Sequence, residues 1–282
     1  MDLGHYEESA RNYQRGLVLA EAEFDEAGAM LACEGLGHVA VEQARWAGAQ
    51  AWYARAMRLA ETVGDERRIG QIHLALGEFA RRKGELTSAG EELRRARERF
   101  EALGDAREMA RVLTLQGLVD ADLGEMPQAS AAYREALAWT RRAEPDVALE
   151  VFIRTNFAKL HLAAGRYLEA EQEIRRAEQL AIAGNLPHQL VQIYALMGTS
   201  RGRQGDEAGF VFFEQAIELA RTLDRSPLVE ARVCYEYGVF QNRIARPDES
   251  RAYLEHAREI FESIGASVDL ERVEAELHRL SA

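Results

Sequence analysis

Residues able to ligate a metal, move a proton or attack a carbonyl are thinly spread along this chain. Seven histidines stand at positions 5, 38, 73, 161, 188, 256 and 278, and no two are three or four residues apart. That spacing would put two imidazoles on one helical face around a zinc ion. The sequence gives no clustering of His, Cys or carboxylate ligands that reads as a metal site. Two cysteines, Cys33 and Cys234, are too few and too distant for a disulfide framework. No Ser or Cys sits in a nucleophile-elbow context, and no Gly-rich phosphate loop occurs. Glutamate pairs are frequent, but on an acidic helical chain they read as solvated faces. The expectation is a protein without catalytic residues, metal or cofactor, so any function must come from a surface.

Composition narrows that surface's partners. Of 282 residues, 47% are hydrophobic and 29% charged, enough apolar material for a large core. Only five are proline, which points to long uninterrupted helices. The 35 basic residues face 47 acidic ones, a net charge of −12. Direct nucleic-acid binding is therefore not expected, because it needs a cationic field. No apolar run approaches the roughly 18 residues of a membrane span, and Met1-Asp2-Leu3-Gly4-His5 lacks a signal-peptide pattern. The expected setting is soluble and cytoplasmic, with no membrane partner.

The elements that position any functional residue follow from an internal repeat. A large residue precedes a small one at Leu36-Gly37, Leu76-Gly77, Gln116-Gly117, Phe157-Ala158, Met197-Gly198 and Tyr237-Gly238, at spacings of 40, 40, 41, 40 and 40. Seven residues on, a second small column runs Ala44, Gly84, Gly124, Gly165, Gly205, Ala245, and Gly4 sits 40 residues before its start. Three more columns follow: small Ser9 to Ser250, bulky Tyr13, Tyr53, Leu93, Tyr133, Ile174, Phe213, Leu254, and small Gly16 to Ala257. The register slips once, where a residue is missing between Gly205 and Gly209. Each cycle reads as two helices, with small residues admitting close backbone approach and the bulky one filling the space between. Prolines fall only in turns, at 127, 145, 187, 227 and 247. Asp105-Ala106-Arg107-Glu108 predicts a capping box, and Asp65, Ser226 and Ser267 predict N-caps. Gly64, Gly104, Gly184 and Gly265 sit where second helices should end in a left-handed residue.

These columns resemble the tetratricopeptide repeat. Its first-helix, turn and second-helix grammar matches His73-x-x-Leu76-Gly77, Gly165-Arg166-Tyr167 and Ala129…Tyr133…Ala136. The period of 40 exceeds the family's ~34, like the long-helix variety of bacterial signalling regulators and adaptor scaffolds. HEAT-type repeats share the period and are the alternative fold, without this Gly and Ala grammar. The resemblance implies an all-α solenoid, a right-handed superhelix of about seven helix pairs, spanning 1–282 as one domain. Residues 1–24 would supply a lone second helix, 25–265 six full repeats, and 266–282 a capping helix.

The resemblance also implies a function. First helices line a concave groove that holds an extended or helical peptide, so the chain is expected to be a non-enzymatic interaction scaffold. The alternative is a peptide- or ligand-sensing module of a larger bacterial regulator. Carried over by column, the groove positions are Gln71, Leu74, Glu78 and Arg81, then Arg111, Thr114, Leu118 and Ala121. Phe152, Thr155, Lys159 and Leu162 follow, then Gln192, Ala195, Thr199 and Gly202, then Arg232, Tyr235, Val239 and Asn242. Arg81, Arg111, Lys159 and Arg232 stand against Glu78 alone, which points to an acidic or carboxylate-bearing protein or peptide partner. Asn242 is the one groove asparagine of the kind peptide-sensing regulators use. At the ends, an N-terminal stripe of Tyr6, Tyr13 and Leu17 is expected to lie bare. Leu270, Val273 and Leu277 of the last helix are expected to pack on the preceding pair and leave its far side short of a partner, so that one molecule's end completes another's repeat in end-to-end self-association. The alternative is that both ends are simply solvated.

Overall fold

The computed structural model describes residues 6–223 and 227–281. Gly4, His5 and the N-cap expected at Ser226 lie outside them. Among the described residues there are fourteen α-helices and no strand. In chain order these are α1 (Tyr6–Ala22), α2 (Glu26–Glu42), α3 (Trp46–Val63), α4 (Glu66–Lys83), α5 (Leu86–Leu103), α6 (Ala106–Asp122) and α7 (Met126–Thr140). Then come α8 (Val147–Ala163), α9 (Tyr167–Ala183), α10 (Pro187–Arg203), α11 (Ala208–Thr222), α12 (Pro227–Arg243), α13 (Pro247–Ile264) and α14 (Ser267–Ser281). The described residues fall into two compact units, one of residues 7–149 and one of residues 150–281 together with Tyr6.

In the unit of residues 7–149, α2 packs on α3, α4 on α5 and α6 on α7, while α3 leans on α4 and α5 on α6. First helices also touch one another, α2 on α4 and α4 on α6. The bulky column explains the small one: a Cβ on Gly117 would sit 2.9 Å from the Tyr133 ring, and one on Gly77 2.8 Å from Leu93. In the unit of residues 150–281 the same pairing joins α10 to α11 and α12 to α13, with α14 on α13. There a Gly198 Cβ would meet Phe213 at 2.6 Å.

The turn column is a left-handed column. Gly84, Gly124, Gly165 and Gly205 have φ of 85, 81, 70 and 73°, and Ala44 and Ala245 take 52 and 60° at the same place. Second helices end in left-handed Gly64, Gly104 and Gly265, but Gly184 has φ −85° and Asn185 carries the positive φ of 48° instead. Asparagine tolerates that region because its short side chain bonds locally. The Asp65 and Asp105 side chains accept from the N–H groups of Arg68 and Glu108, capping α4 and α6. Ser267 is the first residue of α14 rather than a flanking cap. Pro187, Pro227 and Pro247 each open a helix, and Pro127 lies in the first turn of α7.

The N-terminal stripe is not bare. Tyr6 and Leu17 are buried and Tyr13 is half-buried. Leu17 and Ala20 join Ala29, Met30 and Cys33 of α2 in one core cluster, because α1 folds its bulky column onto the following helix. The apolar residues that α1 exposes are Val18 and Leu19, on a different face. Val273 of α14 is fully buried, as the packed stripe requires.

Candidate functional site

The positions carried by the first helices divide by burial. Leu74, Thr114, Thr155 and Ala195 occupy one column and are all buried. Leu74 lies in the cluster that contains Met109 and Val112 of α6, so this column turns toward neighbouring side chains rather than solvent. Thr155 therefore does not line a binding face, since its Oγ1 donates to the Phe152 carbonyl at 2.9 Å. Leu162 is buried as well. The rest stay accessible: Arg111, Phe152, Lys159 and Gln192 are exposed, and Gln71, Arg81, Thr199, Arg232, Tyr235 and Asn242 are half-buried. Thr199 spends its hydroxyl on its own helix, donating to Ala195 O at 3.0 Å.

In the unit of residues 7–149 these side chains form a polar ladder across three first helices. Arg68 lies 3.8 Å from Glu34 and donates to Gln71 Oε1 at 3.2 Å. Gln71 Nε2 in turn donates to Glu108 Oε1 at 3.0 Å, and Arg111 donates to the same carboxylate at 2.8 Å. About three turns further along α4, Arg81 bridges Glu78 at 2.7 Å and Asp122 at 2.8 Å, and Arg82 pairs with Glu42. Burial pushes the His38 imidazole down and the Glu34 carboxyl up, marks of a surface that is open yet enclosed.

The unit of residues 150–281 differs. Arg232 donates to Asp269 of α14 at 2.7 Å. Glu236 is open to solvent, yet its surroundings are dense enough that burial pushes its carboxyl up. Lys159 of α8, Arg243 of α12, Arg203 of α10 and Arg272 of α14 pull it back down. Arg203 also reaches the Leu162 carbonyl at 2.8 Å. Four cations from four helices thus act on one carboxylate. Tyr235, beside Glu236, has its phenol raised by burial.

The count of four cations against Glu78 alone is corrected by these contacts. Glu108, Asp122 and Asp269 neutralise Arg111, Arg81 and Arg232, and none of them lies in the columns that were counted. Column reading also missed Arg203, Glu236 and Arg243, each one residue after Gly202, Tyr235 and Asn242. One residue rotates a helical position by about 100°, so a column carried over without coordinates lands on the wrong flank.

One cluster of ligand-type side chains escapes the reading of the sequence. Glu230 and Cys234, four residues apart on α12, come together with His256 of α13, and their ligand-type atoms all lie within 4.8 Å of one another. The sequence signal was the i, i+4 Glu–Cys pair; the histidine arrives from the next helix.

No family model matches the sequence, and no curated protein matches it. Solved structures do match in fold. A Rap protein complexed with competence and sporulation factor superposes at a TM-score of 0.66 with 15% identity, covering 98% of this chain and 74% of its own. The apo quorum sensor NprR of B. thuringiensis gives 0.63 at 14% identity, covering 98% and 84%. A signal-transduction ATPase with a tetratricopeptide repeat sensor, PH0952 from Pyrococcus horikoshii, gives 0.61 at 16% identity, covering 95% of this chain and 44% of that one. By its fold the chain is an all-α helical-repeat solenoid. More particularly, the fold is tetratricopeptide-like, with a repeat of about 40 residues. Among the described residues, no helix is long and apolar enough to cross a membrane.

Proposed function

We propose that the chain is a non-enzymatic scaffold that binds a peptide segment across the face carried by its first helices. The observation that supports this most directly is the arrangement around Glu236. There Lys159, Arg203, Arg243 and Arg272, exposed on four successive first helices, each favour the charged form of the exposed Glu236 carboxylate. Such a surface favours a carboxylate-bearing peptide, because enclosure strengthens each charge–charge contact. In residues 7–149 the paired ladder offers hydrogen-bonding register instead of net charge. Two of the similar folds point the same way: the Rap protein is bound to competence and sporulation factor, and NprR has also been solved with its cognate peptide NprX. The repeat grammar supports reading residues 1–282 as one array.

Peptides selected from a random library against the full chain provide the test. Lys159→Glu combined with Arg243→Glu should weaken a selected peptide by at least about tenfold. The same reversal at Arg94 and Arg175, exposed on second helices, should leave it unchanged. Equal losses from both pairs, or no selectable peptide, would overturn the assignment. A second reading, a sensor within a longer regulator, is favoured by the match to the PH0952 sensor protein. It requires the bound peptide to change the protein's radius of gyration, which small-angle scattering reads.

A further inference from the structure

The Glu230, Cys234 and His256 cluster shares no residue with the proposed peptide contacts. Glu230 and Cys234 share one face of α12, one turn apart. Cys234 is fully buried, while Glu230 and His256 keep 19% and 41% of their side chains exposed, so a metal ion has a route in. Beside them opens a cleft of about 410 Å³ lined by Glu214, Ile217, Glu218, Arg221, Thr222 and Tyr253. His256 Nε2 stands 3.2 Å from Glu230 Oε1. Tetrahedral zinc bonds of about 2.0–2.1 Å to nitrogen and oxygen put those two ligand atoms about 3.3 Å apart. The thiol needs only a small approach from within the 4.8 Å limit, because a zinc–sulfur bond of about 2.3 Å sets its distance to the imidazole nitrogen near 3.6 Å.

The repeat supplies an internal control. Cysteine recurs in the same column at Cys33 and glutamate at Glu150, but no other cycle puts Glu, Cys and His together. The second cycle has Ala29, Cys33 and Arg55 at these places, and the third has Ile69, His73 and Arg95. The described residues yield one group of three such ligands.

We propose that Glu230, Cys234 and His256 form a binding site for a divalent zinc ion. A thiolate, an imidazole and a carboxylate make a borderline-soft set that suits Zn²⁺ over Mg²⁺ or Ca²⁺. Three protein ligands leave the fourth tetrahedral position to water. Zinc takes its sulfur ligand as the thiolate. Binding breaks the S–H bond, forms the metal–sulfur bond and releases the proton to solvent. Arg221 is the built-in competitor. Its Nε donates to the same Glu230 oxygen at 2.8 Å, and its side chain is 58% exposed, so it can swing into water as the ion enters.

Titration of the full chain with Co²⁺, followed by displacement with Zn²⁺, tests the site. In the Cys33→Ser background, Co²⁺ should give a thiolate-to-metal charge-transfer band saturating at one ion per chain. His256→Gln, half-exposed and tolerant of change, should weaken binding at least about tenfold. Cys234→Ser should abolish the band, and Arg221→Ala should tighten Zn²⁺ binding severalfold by removing the competing cation. Circular dichroism of each metal-free variant reports whether it folds. No charge-transfer band in the Cys33→Ser protein overturns the proposal, and so does a band of unchanged affinity in folded His256→Gln. In either case the three residues and Arg221 are an ion-pair network only.

Discussion

At the scale of the residue, backbone sign and carboxylate pairing make the clearest demands. Ala44 and Ala245 hold φ of 52 and 60° where the other cycles place glycine. A left-handed alanine costs roughly 1–2 kcal/mol, and glycine returns part of that through a more flexible unfolded chain, roughly 0.4–1 kcal/mol. Ala245→Gly should therefore stabilise the protein by about 0.5–1 kcal/mol, read as a higher urea midpoint. Glu92 illustrates the pH dependence. His73 Nδ1 donates to its Oε2 at 2.6 Å, and that bond holds the carboxyl below its ordinary value of 4.5. A depressed folded value means that the stabilisation is present above the unfolded value and lost as pH falls through the folded one. Glu92→Gln should flatten the fall in stability below about pH 4.5, measured by thermal midpoints across an acid series.

At the scale of the element, contact between helices is set by which side chains are absent. Six of the seven cycles put Ala or Ser at the first small position of the second helix, and the sixth puts Gly209 there, just after the missing residue. A Cβ on Gly209 would lie 2.9 Å from the Gly198 carbonyl oxygen and 3.0 Å from the Gly202 nitrogen, both backbone atoms of α10. Neither can move aside without shifting the helix. Gly209→Ala should cost on the order of 1–3 kcal/mol. Gly90 of α5 is the control, with nothing within 4 Å of an added Cβ. Gly90→Ala should gain about 0.5–1 kcal/mol through helix propensity. Opposite signs from the same substitution, read by chemical denaturation, separate close approach from propensity.

At the scale of the whole molecule, an acidic chain of net −12 carries a local set of cations acting on Glu236. Attraction between those cations and a carboxylate-bearing peptide should be screened by salt. The affinity of a selected peptide should fall between about 0.05 and 0.5 M NaCl, and fall less steeply in the Lys159→Glu, Arg243→Glu protein. Fluorescence anisotropy across that series makes the comparison.

The sequence by itself determined the helix count, the pairing of helices and the turns. Each is written locally, in a small residue under a bulky one, an Asp before a first turn, or a glycine where φ must be positive. The Gly117–Tyr133 contact was legible because both partners recur every 40 residues or so. The chemistry was decided only in three dimensions. Whether Thr155 faces solvent depends on its rotation about α8, and a column assignment fixes that no better than a residue either way. Whether Arg111 and Arg232 add net charge depends on Glu108 and Asp269, which approach from positions no column count included. The Glu230, Cys234 and His256 cluster exists because α12 and α13 pack face to face, and that distance is not written in the spacing of 22 residues between Cys234 and His256.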